Sequence, residues 1–309
     1  MTISLSELFP LCLGGNVFGW TADEEASFKI LDRYVEAGGN VIDTADMYSS
    51  WVPGHVGGES ETILGRWMTS RGCRDRVFLA TKVAKLPGRR GLSPANLERA
   101  CDESLARLQT GAVDLYYAHE EDPETPLAES MAALNGLVQS GRVRALGLSN
   151  FSPVATREAF RLCVEHTLAQ PVAVQPQYSL LETEELAALD PSLPEGTHVF
   201  PYWALASGFL TGKYRHGVKV DSPRAEGMSR FADRPQTPAV LAALARIARH
   251  HDVEMSAVAL AWCCTHPRIG SVIASARTVG QLEQLLPAAG LTLDDEERGV
   301  LDRAAVRSD

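Results

Sequence analysis

Several signatures are missing from this chain, and each absence removes a class of protein. It has no C-x-x-C pair, no H-x-H or H-E-x-x-H, no extended Lys/Arg run and no apolar stretch near membrane-span length. Without paired Cys or His ligands, a zinc hydrolase has little to build on. His250 and His251 are adjacent on an expected helix, where neighbouring side chains diverge. Six cysteines without a spacing motif (Cys12, Cys73, Cys101, Cys163, Cys263 and Cys264) predict buried free thiols in a reducing, cytoplasmic setting. The formal net charge of -10 argues against general affinity for nucleic acid or an anionic membrane. "MTISLSELFP" has neither a basic region nor a long apolar core, so no signal peptide is expected. No G-x-G-x-x-G follows the first apolar run; "LGGNVFGW" has the wrong spacing for a dinucleotide-binding open sheet.

What is present is ordinary globular composition, 45% hydrophobic and 22% charged over 309 residues, enough for a large core. Short apolar runs alternate with helical patterns. The runs are "LCLGG", "NVIDTAD", "VFLATKV", "VDLYYAH", "VRALGLSN", "PVAVQPQYS", "HVFPYWAL" and "IGSVIAS". Between them, Thr21 and Glu24 have capping-box spacing, and Ser93-Pro94, Ser152-Pro153 and Thr237-Pro238 read as helix starts. Eight strand–helix units predict a (β/α)8 barrel, and with no linker or repeat the whole of 1–309 reads as one domain. The irregular stretch from Gly212 to Gln236 is too long for a connector and suggests a loop over a site.

A barrel carries its active site where strands end. Asp43 ends the second strand with Tyr48 on the next loop, Lys82 ends the third, His119 the fourth, Ser149-Asn150 the fifth, and Gln175 lies on the sixth. A phenol is a poor acid near neutrality, with a free pKa of about 10. An adjacent ammonium lowers that value, and a carboxylate keeps the ammonium charged and aimed. With a histidine to orient a carbonyl oxygen, the set is a proton donor for a carbonyl becoming an alkoxide. No side chain supplies hydride, so a nicotinamide cofactor is implied.

The pieces "VIDTADMY", "GGESETILGRWM", "VFLATK", "DLYYAHEED", "GRVRALGLSNF", "AVQPQYSLL" and "GFLTGKY", in this order, resemble the aldo-keto reductases from about Leu11 to Leu286. The resemblance implies a (β/α)8 barrel binding NADP(H) or NAD(H), and a catalytic tetrad falling on Asp43, Tyr48, Lys82 and His119. Ser149, Asn150 and Gln175 match residues that hold the carboxamide, and Tyr202 matches the tyrosine stacked on the nicotinamide. Leu205, Ser207, Gly208, Leu210, Gly212 and Lys213 match the pyrophosphate loop; Ser275, Arg277, Gln281 and Gln284 match the adenosine end. Arg277 would grip a 2′-phosphate, favouring NADP(H) over NAD(H); the alternative is a solvated surface arginine. Gly280 and Leu285 depart from the acidic and amide residues often found there. Trp203-Ala204 replaces a common Ser-Pro, so Trp203 either widens the pocket wall or packs in the barrel.

Trp20, Met47, Trp51 and Glu120 are the expected substrate-pocket residues, the two tryptophans suiting an aromatic or alicyclic substrate or the apolar face of a sugar, or otherwise packing the loops. Asp46 reads as a loop or helix-cap carboxylate. No metal is expected. Oligomeric state is not specified by the sequence. Besides the reductase, two other readings use the same residues. One is a Schiff-base enzyme on Lys82, which Asp43 opposes by keeping the amine charged. The other is a cofactor-binding sensor or regulatory subunit of the same fold, like the potassium-channel β-subunits.

Overall fold

The computed structural model describes residues 5–213 and 230–306. Eight short parallel strands form one sheet: β1 Leu11–Gly14, β2 Val41–Asp43, β3 Phe78–Val83, β4 Leu115–Ala118, β5 Leu146–Ser149, β6 Pro171–Gln175, β7 His198–Val199 and β8 Val272–Ala274. They run in the order β7-β6-β5-β4-β3-β2-β1-β8. The sheet curls until its edges meet. Val199 N–H donates to Arg268 O (2.8 Å), Gly270 N–H to Val199 O (3.0 Å) and Ile273 N–H to Pro201 O (3.1 Å). The result is the (β/α)8 barrel, with every strand falling inside an apolar run named above.

The two-residue side-chain period of a strand decides what lies inside. Val41, Phe78, Ala80, Leu115 and Tyr117 pack together in the barrel interior. The intervening Ile42, Leu79 and Tyr116 belong to the larger core shared with the surrounding helices. Gly147 lies against Tyr117 so closely that a Cβ there would sit 2.4 Å from ring carbons.

The helices are built largely as the sequence suggests. Ser93 caps Pro94–Leu108 by accepting from Asn96 N–H, and Ser152 caps Pro153–Glu165 by accepting from Ala155 N–H. Two starts differ. Asp23, not Thr21, caps Glu24–Glu36, accepting from Ala26 N–H. Thr21 and Ala22 are held in a turn, both amides donating to Val17 O, so the helix cannot begin before them. Thr237 is the first helical residue of Thr237–His251 rather than its cap. Of the irregular stretch from Gly212 to Gln236, residues 214–229 lie outside the described residues. No helix among the described residues is long and apolar enough to cross a membrane. All six cysteines are unpaired, five of them buried and Cys264 partly so.

Candidate active site

The strand period that fills the barrel also aims the polar residues at its C-terminal end. Asp43 follows Val41 by two residues, Lys82 follows Ala80 and His119 follows Tyr117, so each continues an inward-facing row. Asp43, Lys82 and His119 are all buried. The register sets Asp43 beside Ala80 and Lys82 beside Tyr117 on neighbouring strands. Lys82 Nζ donates to Asp43 Oδ2 at 2.5 Å, to Thr44 O at 2.8 Å and to Tyr48 Oη at 2.8 Å. The Tyr48 and His119 rings meet edge to face, centroids 6.2 Å apart. His119 Nδ1 has no hydrogen-bond partner.

The electrostatics correct one expectation. The Tyr48 phenol is pushed up to about 12, because burial penalises the phenolate more than the Lys82 ammonium favours it, and Asp43 adds to the upward push. Burial also opposes charge on Lys82, but Asp43 and then Tyr48 outweigh it, and the ammonium is held above its ordinary value. Burial, followed by the charges of Lys82 and Lys85, holds His119 well below the usual histidine range, so the imidazole is neutral.

A second network runs along the rim. Gln175 Nε2 donates to Asp43 Oδ1 at 3.0 Å, and Ser149 Oγ to Gln175 O at 2.9 Å. Asn150 Nδ2 donates to His119 O at 2.8 Å, and Tyr202 Oη to Asn150 Oδ1 at 2.9 Å. The residues read as cofactor contacts are thus tied directly to those read as catalytic. Above them opens a cavity of about 540 Å³. Asp43, Tyr48, His119, Ser149, Asn150, Gln175 and Tyr202 line it, as do Leu205, Ser207, Gly208 and Lys213. Ser275, Arg277, Gln281 and Gln284 line its far end, where Ser275 Oγ donates to Asn16 Oδ1 at 2.7 Å. Arg277 is half-buried there rather than a fully solvated surface residue.

Other expected site residues lie elsewhere. Lys82 is beneath the cavity floor and acts on it only through Tyr48 and Asp43. Leu210 is buried in the core, and Gly212 is a left-handed turn against Met255. Met47 is half-buried outside the cavity lining. Glu120 is also outside it, paired with Lys85, and Lys85 is the one that lines the cavity. Sequence reading missed Lys85 because a lysine two residues beyond a strand looks like any solvated loop charge. Trp20 and Trp51 line the cavity with rings perpendicular and 5.5 Å apart. Trp203 is on the rim, 43% exposed with Arg230 over its ring, and does not pack in the barrel.

Asp46 is a loop carboxylate, in the turn after β2, but it caps no helix and is buried. It is 1% exposed, and neither carboxylate oxygen completes a hydrogen bond of ordinary geometry. Burial first, then the nearby Glu61, raise it to about 7, against Arg107 and Arg89. Three residues after Asp43, it is outside the cavity lining.

Backbone strain marks the same face. Nine described non-glycine residues have positive φ. Gln109 and Asp252 are helix C-caps and Thr167 follows one. The other six, Ser49, Ala84, Asn150, Trp203, Ala206 and Ser207, all lie in the stretches that follow strands β2, β3, β5 and β7.

Among the described residues, one group has the composition of a metal site: His250, His251 and Glu297. The two rings converge, His250 Nδ1 at 3.0 Å and His251 Nε2 at 2.8 Å from Glu297 Oε1. Adjacent helical positions diverge, but the near nitrogen of one ring and the far nitrogen of the other compensate. None of the three lines the cavity.

The sequence model of the Aldo/keto reductase family matches residues 10–305. "Protein tas" of Escherichia coli is 31% identical over 94% of this chain and 92% of its own. "Aldo-keto reductase str7" of Strobilurus tenacellus is 31% identical over 94% of this chain and 84% of its own. A "putative voltage-gated potassium channel subunit beta" of Schizosaccharomyces pombe is 30% identical over 86% of this chain and 79% of its own. With that match running from before β1 to the last described helix, on a barrel whose polar residues gather at one end, the chain belongs to the aldo/keto reductase family.

Proposed function

We propose that the protein reduces an aldehyde or ketone with a nicotinamide cofactor, NADP(H) in preference to NAD(H), or runs the reverse oxidation. The observation that carries this reading is the Lys82 ammonium 2.8 Å from the Tyr48 hydroxyl at the base of a large cavity. The residues present fit such a cofactor. Ser149, Asn150, Gln175 and Tyr202 offer amide and hydroxyl groups at one end of the cavity; Lys213 and Arg277 offer cations for its phosphates, Arg277 for a 2′-phosphate. When bound, the cofactor supplies the hydride.

The chain's own residues manage the proton. Tyr48 Oη gives its proton to the carbonyl oxygen as that oxygen becomes an alkoxide, a far stronger base than phenolate. Lys82 stabilises the phenolate left behind across 2.8 Å, and Asp43, anchored by Gln175, keeps the ammonium in place. Neutral His119 can hydrogen-bond the same oxygen without competing for its proton. Water then returns a proton to Tyr48. A Schiff base on Lys82 is opposed by the same ion pair, since the amine stays charged.

Quenching of tryptophan fluorescence by NADPH and NADH, followed by an aldehyde panel read at 340 nm, tests the reading. Tyr48→Phe should lower turnover by about 10²–10⁴-fold with cofactor binding intact. Arg277→Ala should weaken NADPH but not NADH. Binding without turnover of any carbonyl would instead favour a cofactor sensor.

A further inference from the structure

The cavity divides by strand order. β1 to β4 are contiguous in the sheet, and their loops bring Trp20, Tyr48, Trp51, Lys85 and His119 to the rim. The cofactor residues proposed above follow β5 to β8. Among the described residues, the side chains of unambiguous charge that line the cavity are Asp43, Lys85, Lys213 and Arg277. Asp43 is neutralised by Lys82, so an acidic chain of net charge -10 presents a cationic cavity. Lys213 and Arg277 lie on the cofactor side. Lys85 is left over, on the substrate side, and bears on the proton chemistry only as one of the charges that keep His119 neutral.

Its surroundings leave it free to bind. Glu120, its counter-ion, is 3.4 Å away, and both side chains are about a third exposed. Such a pair is weak and a better-placed anion can displace it. The chain also accepts a strained turn to put Lys85 there: Ala84, fully buried, has φ 106. Gly91 N–H closes the loop onto Ala84 O at 3.0 Å. Strain of this kind persists only where surrounding structure enforces it, and it gathers at functional sites. Trp20 and Trp51 stand perpendicular beside Tyr48, a wall suited to a flat ring.

We infer that Lys85 selects aromatic aldehydes or ketones bearing a carboxylate, the ring against Trp20 and Trp51 and the carboxylate displacing Glu120 from Lys85. The inference rests on the carbonyl-reductase reading and names its substrate class. The test compares 4-formylbenzoate with methyl 4-formylbenzoate, using the full chain and NADPH. The wild type should favour the acid by about tenfold in kcat/KM, mainly through KM, the size of one partly desolvated charge contact. Lys85→Met should bring the acid-to-ester ratio to about one, and Lys85→Arg should keep it. Glu120→Gln, which removes the competing carboxylate, should raise the ratio several-fold. An unchanged ratio in Lys85→Met, or a wild-type preference for the ester, overturns the inference. If neither aldehyde is reduced while other carbonyls of the panel are, the inference is overturned; if no carbonyl is reduced, the reductase reading fails, and binding decides the role of Lys85. Terephthalate should then quench tryptophan fluorescence with about tenfold higher affinity than its dimethyl ester, and Lys85→Met should erase that difference; equal affinities in the wild type overturn it.

Discussion

The Lys82 ammonium lies 2.8 Å from the Tyr48 hydroxyl and is fully buried, so its charge depends on a single carboxylate, Asp43 at 2.5 Å. Asp43→Asn would strand that charge. Breaking a buried pair from one side costs about 3–5 kcal/mol. Urea unfolding at neutral pH should register a loss of that size. The gap from wild type should narrow toward pH ~10, where the stranded amine and the unfolded-state lysine both shed their protons. A variant as stable as the wild type would mean that the charge has another partner.

Because burial lifts Tyr48 to about 12, the phenol keeps its proton across the neutral range. Reduction should therefore show a flat kcat/KM from about pH 6 to 9. Under the proposed mechanism alcohol oxidation needs the phenolate and should rise about tenfold per pH unit over the same range. Steady-state profiles in both directions check this. A falling limb near pH 7 in reduction would show that another group delivers the proton.

Asp46 should make stability depend on pH in an unusual direction. Its folded value of about 7 is above the unfolded one, so between about pH 4 and 7 the native state binds more protons than the unfolded chain. Its contribution is intact below pH ~4 and is lost as pH rises to 7, by a few kcal/mol at most. His119 has the opposite slope, since its lowered value costs stability as pH falls through about 6.5. Asp46→Asn removes only the first term. The variant should gain stability relative to wild type as pH goes from 5 to 8, read by denaturant melts. A difference independent of pH would contradict the assignment.

Gly147→Ala should destabilise the barrel without touching the rim. Its Cβ would meet the buried Tyr117 ring at 2.4 Å. Overpacking of this kind costs about 1–3 kcal/mol. Thermal melts should show the loss, and Tyr117→Leu in the same chain should recover part of it. An unaltered melting temperature would mean that the interior yields more readily than its packing implies.

Much of the architecture was legible because it rests on short-range patterns. Each strand falls in an apolar run, and the caps at Ser93 and Ser152 follow from a hydroxyl just before proline. Thr21 misled because Asp23, two residues on, offers an equally good cap, and the choice depends on the Val17 turn. Asp43 and Asp46 look alike along the chain. The strand period sends Asp43 into the barrel, while the chain leaving the strand turns Asp46 toward Glu61 and Arg107. Lys85 was invisible because its significance depends on Trp20, Trp51 and Glu120, each contributed by a different loop.

The sequence by itself determined the periodicity, the turn chemistry and the inventory of acids, bases and cations at strand ends, all properties of neighbouring residues. Tertiary structure decided which charges meet, which are desolvated and which face the cavity. Coulomb energy and burial depend on distance and dielectric in space, and the chain brings together Tyr48 and Lys82, or Lys85 and Glu120, only after the barrel has closed.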